Sequence, residues 1–116
     1  MDTALVFTWT RPVVGREAMV LELWPETKEF FGKLAADGKC TEIETFFSPS
    51  APFNFAIVRG PLVSILEIVD SDAYRILASK YMFVLEDWHY YTYVTGDQTE
   101  TFIDRYATVG GELGYI

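Results

Sequence analysis

The chain has 116 residues, half of them hydrophobic and 16% aromatic, and its 17 Asp and Glu outnumber 9 Lys and Arg to give a formal charge of −8. That length suits one domain, residues 1–116, because two domains would each fall below the size at which a core is easily stabilised, and the apolar content is too high for disorder. The negative charge opposes phosphate backbones and anionic headgroups, and the scattered basic residues form no stripe, so neither nucleic acid nor a membrane surface is expected as a partner.

The opening, MDTALVFTWTRP, has no basic start and no long apolar stretch, and no later run approaches the length of a membrane span, so a cytoplasmic protein is expected. Residues 3–10 are β-branched and aromatic and stop at Arg11-Pro12, where proline ends a ladder; this is a first strand. After Gly15, Val20, Leu23, Thr27, Phe30 and Leu34 recur at helical spacing, with Trp24, Phe31 and Ala35 widening the stripe. The result is a long first helix that Pro25 should kink or split and Gly38 should cap.

Residues 40–48, CTEIETFFS, read as a second strand, with Ile43 alternating against Glu42 and Glu44 before the loop Ser48-Pro49-Ser50-Ala51-Pro52. Cys40, the single cysteine, opens that strand as a small apolar residue and allows no intrachain disulfide. FNFAIVR, residues 53–59, is a third strand, and Gly60-Pro61 ends it and starts a helix, since proline suits the first helical position. Leu62, Ile65, Leu66, Val69, Ala73, Ile76 and Leu77 hold one helical face, although Asp70-Ser71-Asp72 could recap the helix and divide it. The later part of YMFVLEDWHYYTYVT, residues 81–95, is a fourth strand ended by Gly96. Asp97-Gln98-Thr99-Glu100 then caps a C-terminal helix over about residues 97–113, with Phe102, Ile103, Tyr106, Val109 and Leu113 in phase.

This order is α+β, a ferredoxin-like βαββαβ arrangement with an added C-terminal helix. Right-handed crossovers place both long helices on one face of a four-stranded antiparallel sheet and leave the other face open. An open face should alternate polar residues, yet the first strand sets Leu5, Phe7 and Trp9 against Ala4, Val6 and Thr8. The fourth sets Trp88, Tyr90 and Val94 against His89, Tyr91 and Tyr93. With both faces apolar or aromatic, several hundred Å² would be buried on pairing, ample at ~25 cal/mol per Å² to drive association, so a homodimer packed sheet to sheet is expected.

Through its element order, the GP entry to the second helix and the aromatic last strand, the chain resembles the dimeric α/β-barrel superfamily of ferredoxin-like proteins. That group contains antibiotic-biosynthesis-type monooxygenases, haem-degrading monooxygenases and muconolactone-isomerase-like enzymes. FNFAIVRGP and YVTGD resemble its small uncharacterised members more narrowly. The resemblance implies a dimeric α/β barrel, and no catalytic residue carries over with it because fold does not fix chemistry.

His89 is the single histidine, so zinc HExxH sites and two-His iron triads are ruled out and no metal site or cofactor is assigned. Sharing a face with Tyr91 and Tyr93, it could act as a general acid or base, or as a haem ligand, in a pocket between helices and sheet; a packed aromatic is the plainer reading. Arg59 could bind a carboxylate or snorkel from a sheet end, Trp9 and Trp24 could line a ligand pocket or fill a core, and Glu42 and Glu44 read as solvated edge charges. No GxSxG, GxGxxG or GxxxxGK[ST] motif occurs. Two functions follow: a dimer that binds a small molecule or partner without catalysis, or a cofactor-independent monooxygenase- or isomerase-like enzyme acting on a small apolar or aromatic compound. In the second, His89 shuttles a proton and Trp9, Tyr91 and Tyr93 shape the pocket.

Overall fold

In the computed structural model, which describes residues 2–116, the chain runs in order through ten elements. These are β1 (Thr3–Trp9), β2 (Arg11–Pro12), α1 (Glu17–Ala36), β3 (Glu44–Phe46), β4 (Asn54–Gly60), α2 (Leu62–Asp70), α3 (Asp72–Val84), β5 (Leu85–Glu86), β6 (His89–Val94) and α4 (Asp97–Glu112). The β-branched and aromatic residues of β1 favour an extended path, and β1 pairs antiparallel along one edge with β4 and along the other with β6. β3 adds beyond β4, giving a four-stranded sheet of order β3-β4-β1-β6. Leu5 and Phe7 of β1 and Ala56 and Val58 of β4 point to one face and are buried under the helices with Leu23, Phe31, Ile65, Ile68 and Leu77.

The second strand is shorter than residues 40–48, because a side chain interrupts its ladder. Thr41 donates its backbone N–H to the Arg59 carbonyl at 2.7 Å, but the Arg59 N–H returns to the Thr41 hydroxyl at 2.9 Å instead of to a backbone carbonyl. Cys40 therefore lies outside the strand, though it is buried in the core. Regular pairing begins at Glu44, opposite Ile57.

Pro25 does not split α1, which is continuous over 20 residues. Its side chain is exposed beside Leu21, whose carbonyl is the one deprived of its helical partner there, so the lost bond faces water rather than the core. At the far end, Gly38 takes φ +75° and donates to the Ala35 carbonyl, while Lys39 donates to that of Leu34, the paired bonds of a glycine-terminated helix.

Ser71 divides the second helical stretch, as its neighbours allow: it is extended, at φ −72° and ψ 146°, and its hydroxyl accepts from the Tyr74 N–H. The break resets the phase. Ile65, Ile68, Tyr74, Leu77 and Ala78 face inward, whereas Ala73 and Ile76, in phase only if the helix were unbroken, are exposed. A further difference lies around the fourth strand. α3 runs on to Val84, and β5 then forms a small second sheet with β2, with Arg11 and Glu86 paired at 2.6 Å across it.

The added helix α4 has no buried residue, and Phe102, Ile103, Tyr106, Val109 and Leu113 leave one of its sides apolar and exposed. The radius of gyration is 16.8 Å, against about 13 Å for a compact domain of this length. No helix among the described residues is long and apolar enough to cross a membrane.

Gly60 is required for close packing rather than for a turn. A Cβ there would stand 2.7 Å from the Lys39 carbonyl oxygen and 3.2 Å from the Ile65 Cδ1 atom. Gly60→Ala should therefore destabilise the protein by about 1–3 kcal/mol, measured by urea denaturation. An unchanged midpoint would mean that the segment after α1 moves freely away from β4.

Candidate functional site

The inner sheet face is not completely filled. Between it and the helices lies a cavity of about 300 Å³, at the small end of the range for ligand sites. Phe7 and Trp9 of β1, Thr45 of β3 and Ala56 of β4 form its floor. Its roof comes from Leu21, Trp24, Thr27 and Phe31 of α1 and from Tyr74, Leu77, Ala78 and Tyr81 of α3. Trp88, just before β6, closes the inner side, its ring lying nearly parallel to those of Phe7 and Tyr81 at 6.0 and 5.9 Å. Leu21 and Phe47 line the cavity yet are 74% and 71% exposed, which places its mouth between the start of α1 and the loop after β3.

The residues around this chamber carry four hydroxyls, on Thr27, Thr45, Tyr74 and Tyr81, and three indole N–H groups, on Trp9, Trp24 and Trp88. Thr27 donates to the Leu23 carbonyl at 2.8 Å and accepts from the Tyr81 hydroxyl, so both side chains are satisfied. The hydroxyls of Tyr74 and Thr45 are buried and have no hydrogen-bond partner. Tyr74, 2% exposed, hangs from the roof, and Thr45 stands on the floor. An unsatisfied buried hydroxyl costs about 1–3 kcal/mol, and both of these are sealed within the packing beside the cavity. Burial pushes the Tyr74 hydroxyl well above the usual tyrosine range, with Tyr90 adding to the effect. The Tyr81 hydroxyl is raised by burial, an effect its bond to Thr27 partly opposes. Cys40, whose thiol burial likewise pushes up, is not among the cavity's lining residues.

Of the candidate site residues read from the sequence, Trp9 and Trp24 line this cavity, and His89, Tyr91, Tyr93 and Arg59 do not. The expectation that His89, Tyr91 and Tyr93 lie between helices and sheet is corrected by the register of β6. His89 stands opposite Thr8, Tyr91 opposite Val6 and Tyr93 opposite Ala4, and directly paired residues share a face. That face is the outer one, turned away from Phe7. Arg59 joins them there, opposite Ala4 on the other side of β1. The outer face is a set of rows across the sheet: Arg59, Ala4 and Tyr93; then Glu44, Ile57, Val6 and Tyr91; then Phe46, Phe55, Thr8 and His89. The rings of His89, Tyr91 and Tyr93 succeed one another at 6.2 Å, and those of Phe46 and Phe55 stack at 4.6 Å. Among the described residues, no three His, Cys, Asp or Glu side chains cluster to hold a metal ion.

No family model and no curated protein matches the chain. Solved structures do. Rv0793 from Mycobacterium tuberculosis is 12% identical, with a TM-score of 0.64 over 84% of this chain and 97% of that one. A dimeric protein of unknown function and ferredoxin-like fold from Bacteroides fragilis is 12% identical, with a TM-score of 0.55 over 82% of this chain and 98% of that one. A dabb family protein with a ferredoxin-like fold from Mesorhizobium loti is 13% identical, with a TM-score of 0.57 over 83% and 99%.

The chain has the ferredoxin-like α+β fold. These structures are matched almost end to end, while about a sixth of this chain is left over, a share equal to the stretch from Asp97 to Ile116.

The raised tyrosines set a pH dependence. Unfolded tyrosines ionise near pH 10, whereas folded Tyr74 and Tyr81 keep their protons to higher pH, so the native state binds more protons and stability falls as pH rises above about 10. Each group contributes a slope of up to about 1.4 kcal/mol per pH unit. Denaturation midpoints at pH 9, 10 and 11 should fall for the wild type and fall less for Tyr74→Phe; equal slopes would contradict this origin.

Proposed function

We propose that the protein is a homodimer, packed through the outer sheet faces, in which each protomer holds a small, largely apolar molecule in the cavity under its helices. The cavity carries this reading: it is open at one end, walled by aromatic rings and lined by residues from β1, β3, β4, α1 and α3 of a structured core. Catalysis with His89 as proton shuttle would need the imidazole in that chamber, and β6 turns it to the opposite face. A binding protein is therefore favoured over a cofactor-independent enzyme.

The outer face supports the dimer. Two of its three rows carry Ile57, Val6, Tyr91, Phe55 and Phe46, and the fold neighbour from Bacteroides fragilis is a dimer. Strand spacing and rise give the four strands, of 3, 7, 7 and 6 residues, a footprint of roughly 360 Å², short of the ~800 Å² per partner of a stable interface. The apolar side of α4, roughly 24 Å long and 10 Å wide, supplies much of the difference and belongs to the same interface. His89, Tyr91, Tyr93 and Arg59 then serve recognition between copies.

Sedimentation velocity should show a dimer at micromolar concentration. Val6→Glu with Tyr91→Glu should give a folded monomer, and Phe102→Glu with Tyr106→Glu should weaken the dimer at least tenfold. A wild-type monomer at that concentration would contradict the proposal.

A further inference from the structure

Within that reading of the cavity, its carbon walls and the cation beside its mouth define what it takes. We infer that the ligand is an amphiphile: an apolar, ring-bearing body fills the chamber, and one anionic head, a carboxylate or similar oxyanion, stays outside and is held by Lys28.

The body follows from the walls. No charged side chain lines the chamber, and nearly all of the surface facing its empty space is carbon, so the hydroxyls and indole N–H groups around it offer a ligand almost nothing polar. A neutral polar group drawn inside would lose its water without replacement, at a cost of about 2–7 kcal/mol, and an ion would lose more. The polar part of a ligand therefore stays at the open end, between Leu21 and Phe47. Phe7, Trp88 and Tyr81 give flat walls that suit a ring system.

The head follows from α1. Leu21, Trp24 and Lys28 succeed one another at helical spacing and share one side of the helix. Leu21 stands at the mouth, Trp24 is part of the wall, and the Lys28 ammonium lies over the Trp24 ring, 5.7 Å from its centroid. Glu26 and Glu29, which flank Lys28 in sequence, are taken by Lys80 at 3.0 Å and by Lys33 at 3.1 Å. Glu17, one turn before Leu21, accepts from the Gly15 N–H at 2.9 Å, ahead of the helix. Among the described residues no carboxylate pairs with Lys28, which leaves its charge open to a ligand.

The test uses compounds sharing one carbon skeleton, 4-phenylbutanoate, 4-phenylbutan-1-ol and 4-phenylbutan-1-amine, titrated calorimetrically into the intact protein at low salt. Wild type should bind the carboxylate about tenfold tighter than the amine, attraction of one head adding to repulsion of the other. The sign is diagnostic, because a net charge of −8 favours the amine at long range. Lys28 is exposed, so its replacement should not disturb the fold. Lys28→Gln should bring the ratio to one or below while leaving affinity for the alcohol within about twofold, and Lys28→Arg should keep the preference. A ratio that Lys28→Gln does not change, or a wild type without the preference, overturns the inference yet leaves the cavity as a site for apolar ligands. Failure of the carboxylate, alcohol and amine alike to bind removes the binding reading itself.

Discussion

Strand β1 is hydrogen-bonded along both edges, to β4 on one side and β6 on the other, and its side chains alternate between two faces. Leu5 and Phe7 go inward to α1 and α3, while Ala4, Val6 and Thr8 go outward. β4 and β6 take their register from β1, and β3 takes its own from β4, so this alternation decides which residues of the four-stranded sheet meet the helices and which face away from them. A slip of one residue in the β1–β6 pairing would exchange His89, Tyr91 and Tyr93 for Tyr90, Thr92 and Val94. The cavity and the outer aromatic surface are thus two consequences of one register.

Much of this was legible in the sequence. The strands and helices follow from β-branched runs, helical spacing and the Gly-Pro and Ser-Pro breaks, because those signals act locally. The division of β6 into two sets, with Tyr90 and Val94 against His89, Tyr91 and Tyr93, also followed from period-2 alternation. What alternation cannot say is which set faces inward. That depends on pairing with β1, a contact between residues more than eighty positions apart, and on a strand with aromatic residues on both sides hydrophobicity does not choose. Alternation therefore groups His89 with its correct neighbours, Tyr91 and Tyr93, and only the register with β1 puts that group on the outer side of the sheet.

The cavity itself was harder to see. Tyr74 is out of phase with a helix read as continuous from Leu62, and becomes an inward residue only once Ser71 is taken as a new cap. From that cap, Tyr74, Leu77, Ala78 and Tyr81 form one stripe, the signal that marks the roof. Thr45 lies in an alternating strand between two outward residues, Glu44 and Phe46, so its inward direction could be read but its lack of a partner could not. Unsatisfied hydroxyls are a property of the packed structure alone.

The two sheet faces have two different proposed partners, a small ligand for the inner one and a second copy of the chain for the outer one. Hydroxyl-radical footprinting at nanomolar and at tens of micromolar protein reads the outer assignment residue by residue. Tyr91, Tyr93 and Phe46 should be reactive in dilute protein and protected in concentrated protein, while exposed Leu21 and Phe47 at the cavity mouth react equally in both. Tyr91 and Tyr93 that stay reactive at every concentration would show that the outer face remains open to water, and would contradict the central claim.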